Sequence, residues 1–251
     1  MQNALLVGLS RQVALGRELE VVANNIANIN TTGYKADGSL FEEYLSSAAR
    51  TDQNQGRVSF VRDRGTWHNL SQGPVEQTGN PLNVAIDGNA FLVVQTARGE
   101  RYTRNGALQI NGTGELVTSE GDAVLGDAGP IIFQPTDNQI MISRDGTISV
   151  REGTSKTDSA RGALRLVAFD NAQQLQKDGG GTFAAAGTAQ PQPTKAARVL
   201  QGSIEKSNVR GVVEMTRMIE ITRSYTQVAA MLQQQTEQSQ QAINKLAEVP
   251  N

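Results

Sequence analysis

The sequence predicts an α+β fold. Long N- and C-terminal helices pack together as a coiled-coil-like α domain, and a mainly antiparallel β domain is inserted between them. Three observations predict it. None of the 7 Pro precedes Pro74 and none falls between Pro193 and Pro250, so both ends can carry long helices. More than half of the 25 Gly lie between Leu82 and Phe183, which punctuates the middle with turns. The apolar period also changes, from about 3.5 residues at the C-terminal end to about two in the middle.

In the N-terminal segment, Leu5, Leu9, Leu19, Ala23 and Ile26 form one stripe. Gln12 and Gly16 are its weak positions, and Leu15 and Val22 flank it. The pattern stops at Asn30-Thr31-Thr32-Gly33, because Asn and Gly tolerate the left-handed conformation that ends helices. The middle follows with short apolar runs at Leu82 to Ile86, Ala90 to Gln95, Arg101 to Arg104 and Ala123 to Leu125. Further runs are Ile131 to Phe133, Gln139 to Ile142, Thr147 to Val150 and Ala163 to Phe169. Dipeptides that favour hairpins separate them, such as Asp87-Gly88, Asn105-Gly106 and Asp145-Gly146. No helical pattern alternates with these runs, which disfavours a parallel sheet.

The C-terminal segment carries two seven-residue series. Met218, Tyr225, Leu232, Ser239 and Leu246 form one; Ile221, Val228, Gln235, Ala242 and Val249 form the other, offset by three. Together they read as the a and d positions of a heptad seam. Gly202 and the Ser207–Asn208 pair supply a break and an N-cap, and Pro250 closes the far end. A helix over 209–248 would be about 60 Å long. A one-sided stripe of that length needs a partner, and the N-terminal helix offers one. The expected boundaries are a terminal helical domain over 1–33 plus 203–251, a polar connecting segment over 34–80, a central β domain over 81–183, and a linker over 184–202.

Composition excludes most chemistry. The 251 residues carry 23 basic and 25 acidic side chains, a net charge of −2. That balance argues against a nucleic-acid partner, which needs clustered cations. With no Cys and one His, thiol chemistry is absent and a zinc site would need carboxylates alone. His68 sits beside Trp67 in a polar stretch with no nucleophile elbow in the chain, so a Ser-His-Asp arrangement is not expected. The Asp-Gly pairs lack calcium-loop spacing. No catalytic residue, cofactor or metal is expected. The longest apolar run near the N-terminus, Ala4 to Leu9, has no basic region before it, so neither a cleaved signal peptide nor direct membrane insertion is expected.

Ala23-Asn24-Asn25-Ile26-Ala27-Asn28-Ile29-Asn30 is expensive for a helix end, since Asn costs about 0.5 kcal/mol against Ala. Asn24 and Asn28 share a face. Amides in such number imply hydrogen bonds to a neighbouring helix. The candidate assembly surface on the N-terminal helix is therefore Leu5, Leu9, Leu19, Asn24, Asn25, Ile26 and Asn28. Its counterpart on the C-terminal helix is Met218, Ile221, Tyr225, Val228, Leu232, Ala242 and Leu246.

The Asn-rich run, continued through Thr31-Thr32-Gly33-Tyr34-Lys35, closely resembles the N-terminal signature of the bacterial flagellar rod and hook proteins. So do Asn83-Val84-Ala85-Ile86-Asp87-Gly88, Tyr102-Thr103-Arg104-Asn105-Gly106 and Gly114-Glu115-Leu116-Val117-Thr118. A third region, Gln201-Gly202-Ser203-Ile204-Glu205-Lys206-Ser207-Asn208-Val209 with Glu214-Met215-Thr216 and Met218-Ile219-Glu220, resembles the family's C-terminal part. One departure is Ala90-Phe91, where relatives often place a glycine before the aromatic.

The resemblance implies a non-enzymatic axial subunit of the basal body. Its terminal helices would form an inner tube that transmits torque and encloses an export channel, with the β domain outside. It implies adjacent rod subunits and the flagellar export apparatus as partners, and export without cleavage. Length and the central β domain point to the proximal- or distal-rod members. The Met1-Gln2-Asn3-Ala4-Leu5 start and the short middle resemble the proximal type. The alternative from another class is a glycan-binding or enzymatic β module on a coiled-coil stalk. An aromatic content of 4% and the lack of a paired-carboxylate motif argue against it.

Overall fold

A computed structural model describes residues 2–45, 59–153 and 157–247. The chain has the expected α+β architecture, with one long helix near each end and an antiparallel β region between them. It divides into two compact units. Unit 1 comprises Met1–Ala27, Asp37–His68 and Arg210–Asn251; unit 2 comprises Asn28–Ala36 and Asn69–Val209.

Unit 1 contains helix α1 (Gln2–Ala27), strands β1 (Asp37–Leu45) and β2 (Ser59–His68), and helix α2 (Gly211–Ala247). The helices run antiparallel. Gly8 lies against Leu232 and Gly16 beside Tyr225, while Arg217 binds Glu18 through Nε at 3.0 Å and Nη2 at 2.7 Å. The less exposed stripe of α2 contains Met218, Ile221, Tyr225, Val228, Leu232, Gln235 and Ser239, which are the heptad positions. Ala242 is exposed. The Leu246 side chain, Val249 and Pro250 lie outside the described residues.

The α1 stripe differs from the expected one. Gly8, Ala14, Val22 and Asn25 are its buried residues among those described, whereas Leu5 and Leu9 are 38% and 48% exposed. A helix of about 3.6 residues per turn rotates a stripe away from its partner when the spacing is extrapolated over several turns. Closest approach falls instead on Gly8, where an added Cβ would stand 2.6 Å from Leu232 Cδ2. The start of α2 also differs: it begins at Gly211, because Ser207 and Asn208 bond other backbone groups.

β1 and β2 pair in register from Asp37↔His68 to Leu45↔Ser59, with an irregularity between Leu40 and Phe41. These two strands occupy the segment read from sequence as a polar connector. Acidic Glu42 and Glu43 and the lack of a tight turn dipeptide conceal them.

Unit 2 is wholly antiparallel. In chain order it holds β3 (Val75–Gln77), β4 (Val84–Asp87), β5 (Phe91–Thr96), β6 (Gly99–Thr103), β7 (Leu108–Ile110), β8 (Leu116–Thr118), β9 (Ala123–Gly126) and β10 (Gly129–Pro130). β11 (Asp137–Ile142), β12 (Thr147–Glu152), β13 (Asp158–Ala163) and β14 (Leu166–Ala168) follow. The last are β15 (Gln176–Lys177), β16 (Thr182–Ala184), β17 (Gln192–Pro193), β18 (Arg198–Gln201) and β19 (Ser203–Glu205). The main sheet runs β15-β16-β6-β5-β9-β8-β7, with β10 on β9, and β14 joining β5 to β17. β11-β12-β13 form a second sheet, and β4 pairs with β18 and β3 with β19.

β5 explains why its sequence is a run and not an alternation. Leu92 and Val94 enter a cluster with Val84, Ile86, Leu116 and Ile148, while Phe91 and Val93 enter another with Tyr102, Val167 and Phe183. A strand covered on both faces needs apolar residues at every position. Three expectations fail nearby. Ile131 to Phe133 makes only an isolated bridge at Ile132, Ala163 to Phe169 splits into two strands, and 184–202 contains β17 and β18.

Candidate functional site

The first site lies in unit 2 and begins at Gly33. Its φ of +70° is a left-handed conformation suited to glycine, and an added Cβ would stand 2.4 Å from the Arg104 carbonyl carbon. The Gly33 N–H donates to the Glu205 carbonyl at 2.7 Å. Glu205 itself is 0% exposed. Its Oε1 accepts from Lys35 Nζ at 2.5 Å and from the Gly73 N–H at 2.8 Å, and its Oε2 from Arg104 Nη1 at 3.2 Å. Lys35 also donates to Ser71 O at 2.7 Å. Arg104 reaches Ile86 O at 3.0 Å and Gly88 O at 2.5 Å, with its guanidinium carbon 5.4 Å from the Phe91 ring centroid.

Two cations thus share one buried carboxylate. Burial pushes both the Lys35 and the Arg104 pKa below their ordinary values, and Glu205 pulls them back up. Three further hydrogen bonds to carbonyls give each cation partners besides the carboxylate. A pair so fully enclosed holds segments in place; it does not shuttle protons to a substrate.

Asn208 extends the cluster. Its Oδ1 accepts the Ala36 N–H at 2.7 Å, and its Nδ2 donates to Asn69 O at 2.7 Å and Ser71 O at 2.9 Å. Its own N–H donates to Tyr34 O at 3.3 Å, and the Asn69 N–H donates to Ala36 O at 2.8 Å.

The second site is the helix pair of unit 1. Asn25, 1% exposed, makes a two-way bond with one residue: its Nδ2 donates to Asp37 O at 2.8 Å, and its Oδ1 accepts the Asp37 N–H at 2.9 Å. Its Nδ2 also approaches Glu214 Oε2 at 3.4 Å, so one amide touches α1, β1 and α2. Asp37 Oδ1 lies 2.6 Å from His68 Nδ1 across the base of the hairpin.

Among the other expected residues, Ile221 is buried; Leu19, Ile26, Met218, Tyr225, Val228 and Leu232 are half-buried; Asn24 is exposed. Asn28 follows α1 in a turn and accepts from Thr31 Oγ1 at 3.1 Å. Leu5 and Leu9 lie with Leu6 and Val13 on an exposed apolar face of α1. Val212, Met215 and Ile219 form another on α2, opposite Ile221. Among the described residues no His, Cys, Asp or Glu cluster could hold a metal, and no helix is long and apolar enough to cross a membrane.

Sequence reading missed Lys35, Arg104, Glu205 and Asn208 as a cluster, and Gly8 and Gly16 as contact points. No local signal marks the charged residues, since Arg104 stands between Thr103 and Asn105 and Glu205 beside Lys206.

Comparison with known proteins divides the chain in the same way. Residues 5–35 match the family described as flagella basal body rod protein. Residues 85–150 match the flagellar hook protein FlgE/F/G D1 domain, and residues 200–246 the flagellar basal body rod FlgEFG protein C-terminal. Lys35, Arg104 and Glu205 fall one in each. The flagellar basal-body rod protein FlgF of Caulobacter vibrioides is 40% identical over 99% of this chain and 100% of its own length. FlgF of Mesorhizobium japonicum is 35% identical over 98% of both chains. The rod protein FlgG of Bacillus subtilis is 31% identical over 97% of this chain and 99% of its own. Likeness of this extent, with all three family regions present in order around one buried cluster, means that the chain belongs to the family of bacterial flagellar basal-body rod proteins.

Proposed function

We propose that this chain is a structural subunit of the proximal part of the flagellar rod, assembling through its terminal helices into the axial drive shaft and export tube. The observation that carries the reading is the pair of apolar faces that the chain itself leaves uncovered, Leu5, Leu6, Leu9 and Val13 on α1 and Val212, Met215 and Ile219 on α2. Side chains of that size gain about 1.5–3 kcal/mol each on burial, which neighbouring copies can supply. Between α1 and α2 the heptad spacing and the small residues Gly8 and Gly16 support coiled-coil-like packing. Relatives named FlgF support the proximal position. Neighbouring rod proteins and the export apparatus are the partners this role requires, and it requires no catalysis.

The test replaces Ile221 and Val228 by Asp together and asks for swimming and for rods in isolated basal bodies. Carboxylates in the helix seam each cost several kcal/mol when unpaired. Rods should stop at this component, while a protease-resistant β core remains. Normal rods would overturn the assembly role of the terminal helices.

A further inference from the structure

We propose that Asn208 is a clip that gathers the chain ends of unit 2 at one point, so that a pull on one end is shared by the others. Unit 2 has two stretches, Asn28–Ala36 and Asn69–Val209. Ala36 is the last residue of the first, Asn69 opens the second, and Asn208 stands next to its close. These three residues are bonded to one another: Ala36 N–H to Asn208 Oδ1 across 172 positions, Asn208 Nδ2 to Asn69 O across 139, and Asn69 N–H to Ala36 O. Where a chain leaves a folded unit, its backbone groups lose the partners a sheet ladder would give them. One primary amide, both donor and acceptor, supplies the missing partners for two segments and ties both to its own. The Lys35–Glu205 pair lies directly behind the clip, since Lys35 precedes Ala36 and its Nζ also holds Ser71 O.

The purpose rests on the rod reading, because a subunit that turns under load receives force through its chain ends. The clip itself is tested on the purified full chain, so its failure and that of the rod reading are distinguishable. Amide exchange is measured in wild type, Asn208→Ala and Asn208→Asp. In Asn208→Ala the Ala36 and Asn69 amides should exchange about tenfold faster. The Asn69 amide is the informative one, because it donates to Ala36 O and not to Asn208. In Asn208→Asp the acceptor survives and the donors are lost, so Ala36 should stay protected while Asn69 is released. The amides of Val93 and Val94 should be unchanged in both. Wild-type exchange at Asn69 in Asn208→Ala would overturn the clip, as would equal acceleration at Val94, which would mean a general loss of fold.

A second arm loads the link directly. The chain has 0 Cys, so Thr113→Cys and Arg210→Cys, the latter exposed and next to Val209, give unique handles for an optical trap. Tension then enters unit 2 at Val209, and Asn208→Ala should lower the force of first rupture. An unchanged force would overturn the sharing of load.

Discussion

Lys35 Nζ and Glu205 Oε1 stand 2.5 Å apart although 170 residues separate them in the chain. The contact closes unit 2 from both ends, and no water-facing surface is left on either side chain, each 0% exposed. Such a pair is strongly asymmetric in its response to mutation. Removing one partner strands the other, whereas replacing both by apolar groups is far milder.

Glu205→Gln should therefore destabilise the protein by about 3–5 kcal/mol, because Lys35 and Arg104 are then left facing a neutral amide. Lys35→Met and Arg104→Met combined with Glu205→Leu should cost less than Glu205→Gln alone, because no buried charge is then left without its partner. Urea unfolding followed by circular dichroism reads both. A loss below about 1 kcal/mol for Glu205→Gln would place the cluster among ordinary surface pairs.

Gly33→Ala meets two obstacles, a positive φ and the Arg104 backbone at 2.4 Å. Gly79→Ala meets only the first, since its φ is +74° with nothing within 4 Å of the added carbon. The expected losses are about 3 kcal/mol or more for the former and about 1 kcal/mol for the latter. Thermal midpoints of the two variants separate steric clash from backbone strain; equal losses would show that the neighbourhood of Arg104 yields.

Acid should weaken unit 2 through Asp137. Arg161 binds its carboxylate through Nε at 2.7 Å and Nη2 at 2.5 Å, and these bonds hold the Asp137 pKa below its ordinary 3.8. A depressed carboxyl pKa contributes stability that is complete above the unfolded value and is lost as pH falls through the folded one. Stability should fall below pH 3.8, and Asp137→Asn should flatten the slope in that window while lowering stability at neutral pH. A slope identical to wild type would assign acid sensitivity to other carboxyls.

Neighbouring asparagines should behave differently. Asn25→Ala removes both bonds to the Asp37 backbone from a buried site and should cost about 1–3 kcal/mol. Asn24 is exposed, so Asn24→Ala should cost the monomer less than Asn25→Ala does. If Asn24 serves assembly, that variant swims poorly despite the smaller loss. Normal swimming with Asn24→Ala would restrict the Asn-rich run to the monomer fold.

What the sequence disclosed follows from what repeats locally. The α2 seam was legible because Met218, Ile221, Tyr225, Val228 and Leu232 recur at a fixed spacing over a long helix. On α1 the same reasoning chose Leu5 and Leu9, because it weighs side-chain size; the structure puts Gly8 under Leu232, a choice made by shape that apolar spacing cannot reveal. The β middle was legible in its turns: Asp145, whose Oδ1 accepts the Thr147 N–H, sets up Gly146 at φ +88°. The β1–β2 hairpin escaped because its pairing, Asp37↔His68 onward, is fixed partly by the Asn25 bonds, which join residues 12 apart. The charged cluster escaped for a stronger reason. A sequence marks Lys35, Arg104 and Glu205 as solvated until the fold supplies the bonds that let them be buried.

β4 and β18 are antiparallel neighbours, paired from Asp87↔Arg198 to Val84↔Gln201. Everything between them therefore enters and leaves at hairpin distance. Topologically this makes 88–197 an extendable cassette: a longer domain could be spliced in at an exposed turn without moving either end of the chain, while Arg104 within it keeps its bond to Glu205. It also makes that cassette a candidate for circular permutation, with its old ends joined beside Gly88 and new ones opened at the exposed Gly112–Thr113 turn. The terminal helices can stay constant while the part between them is free to change size.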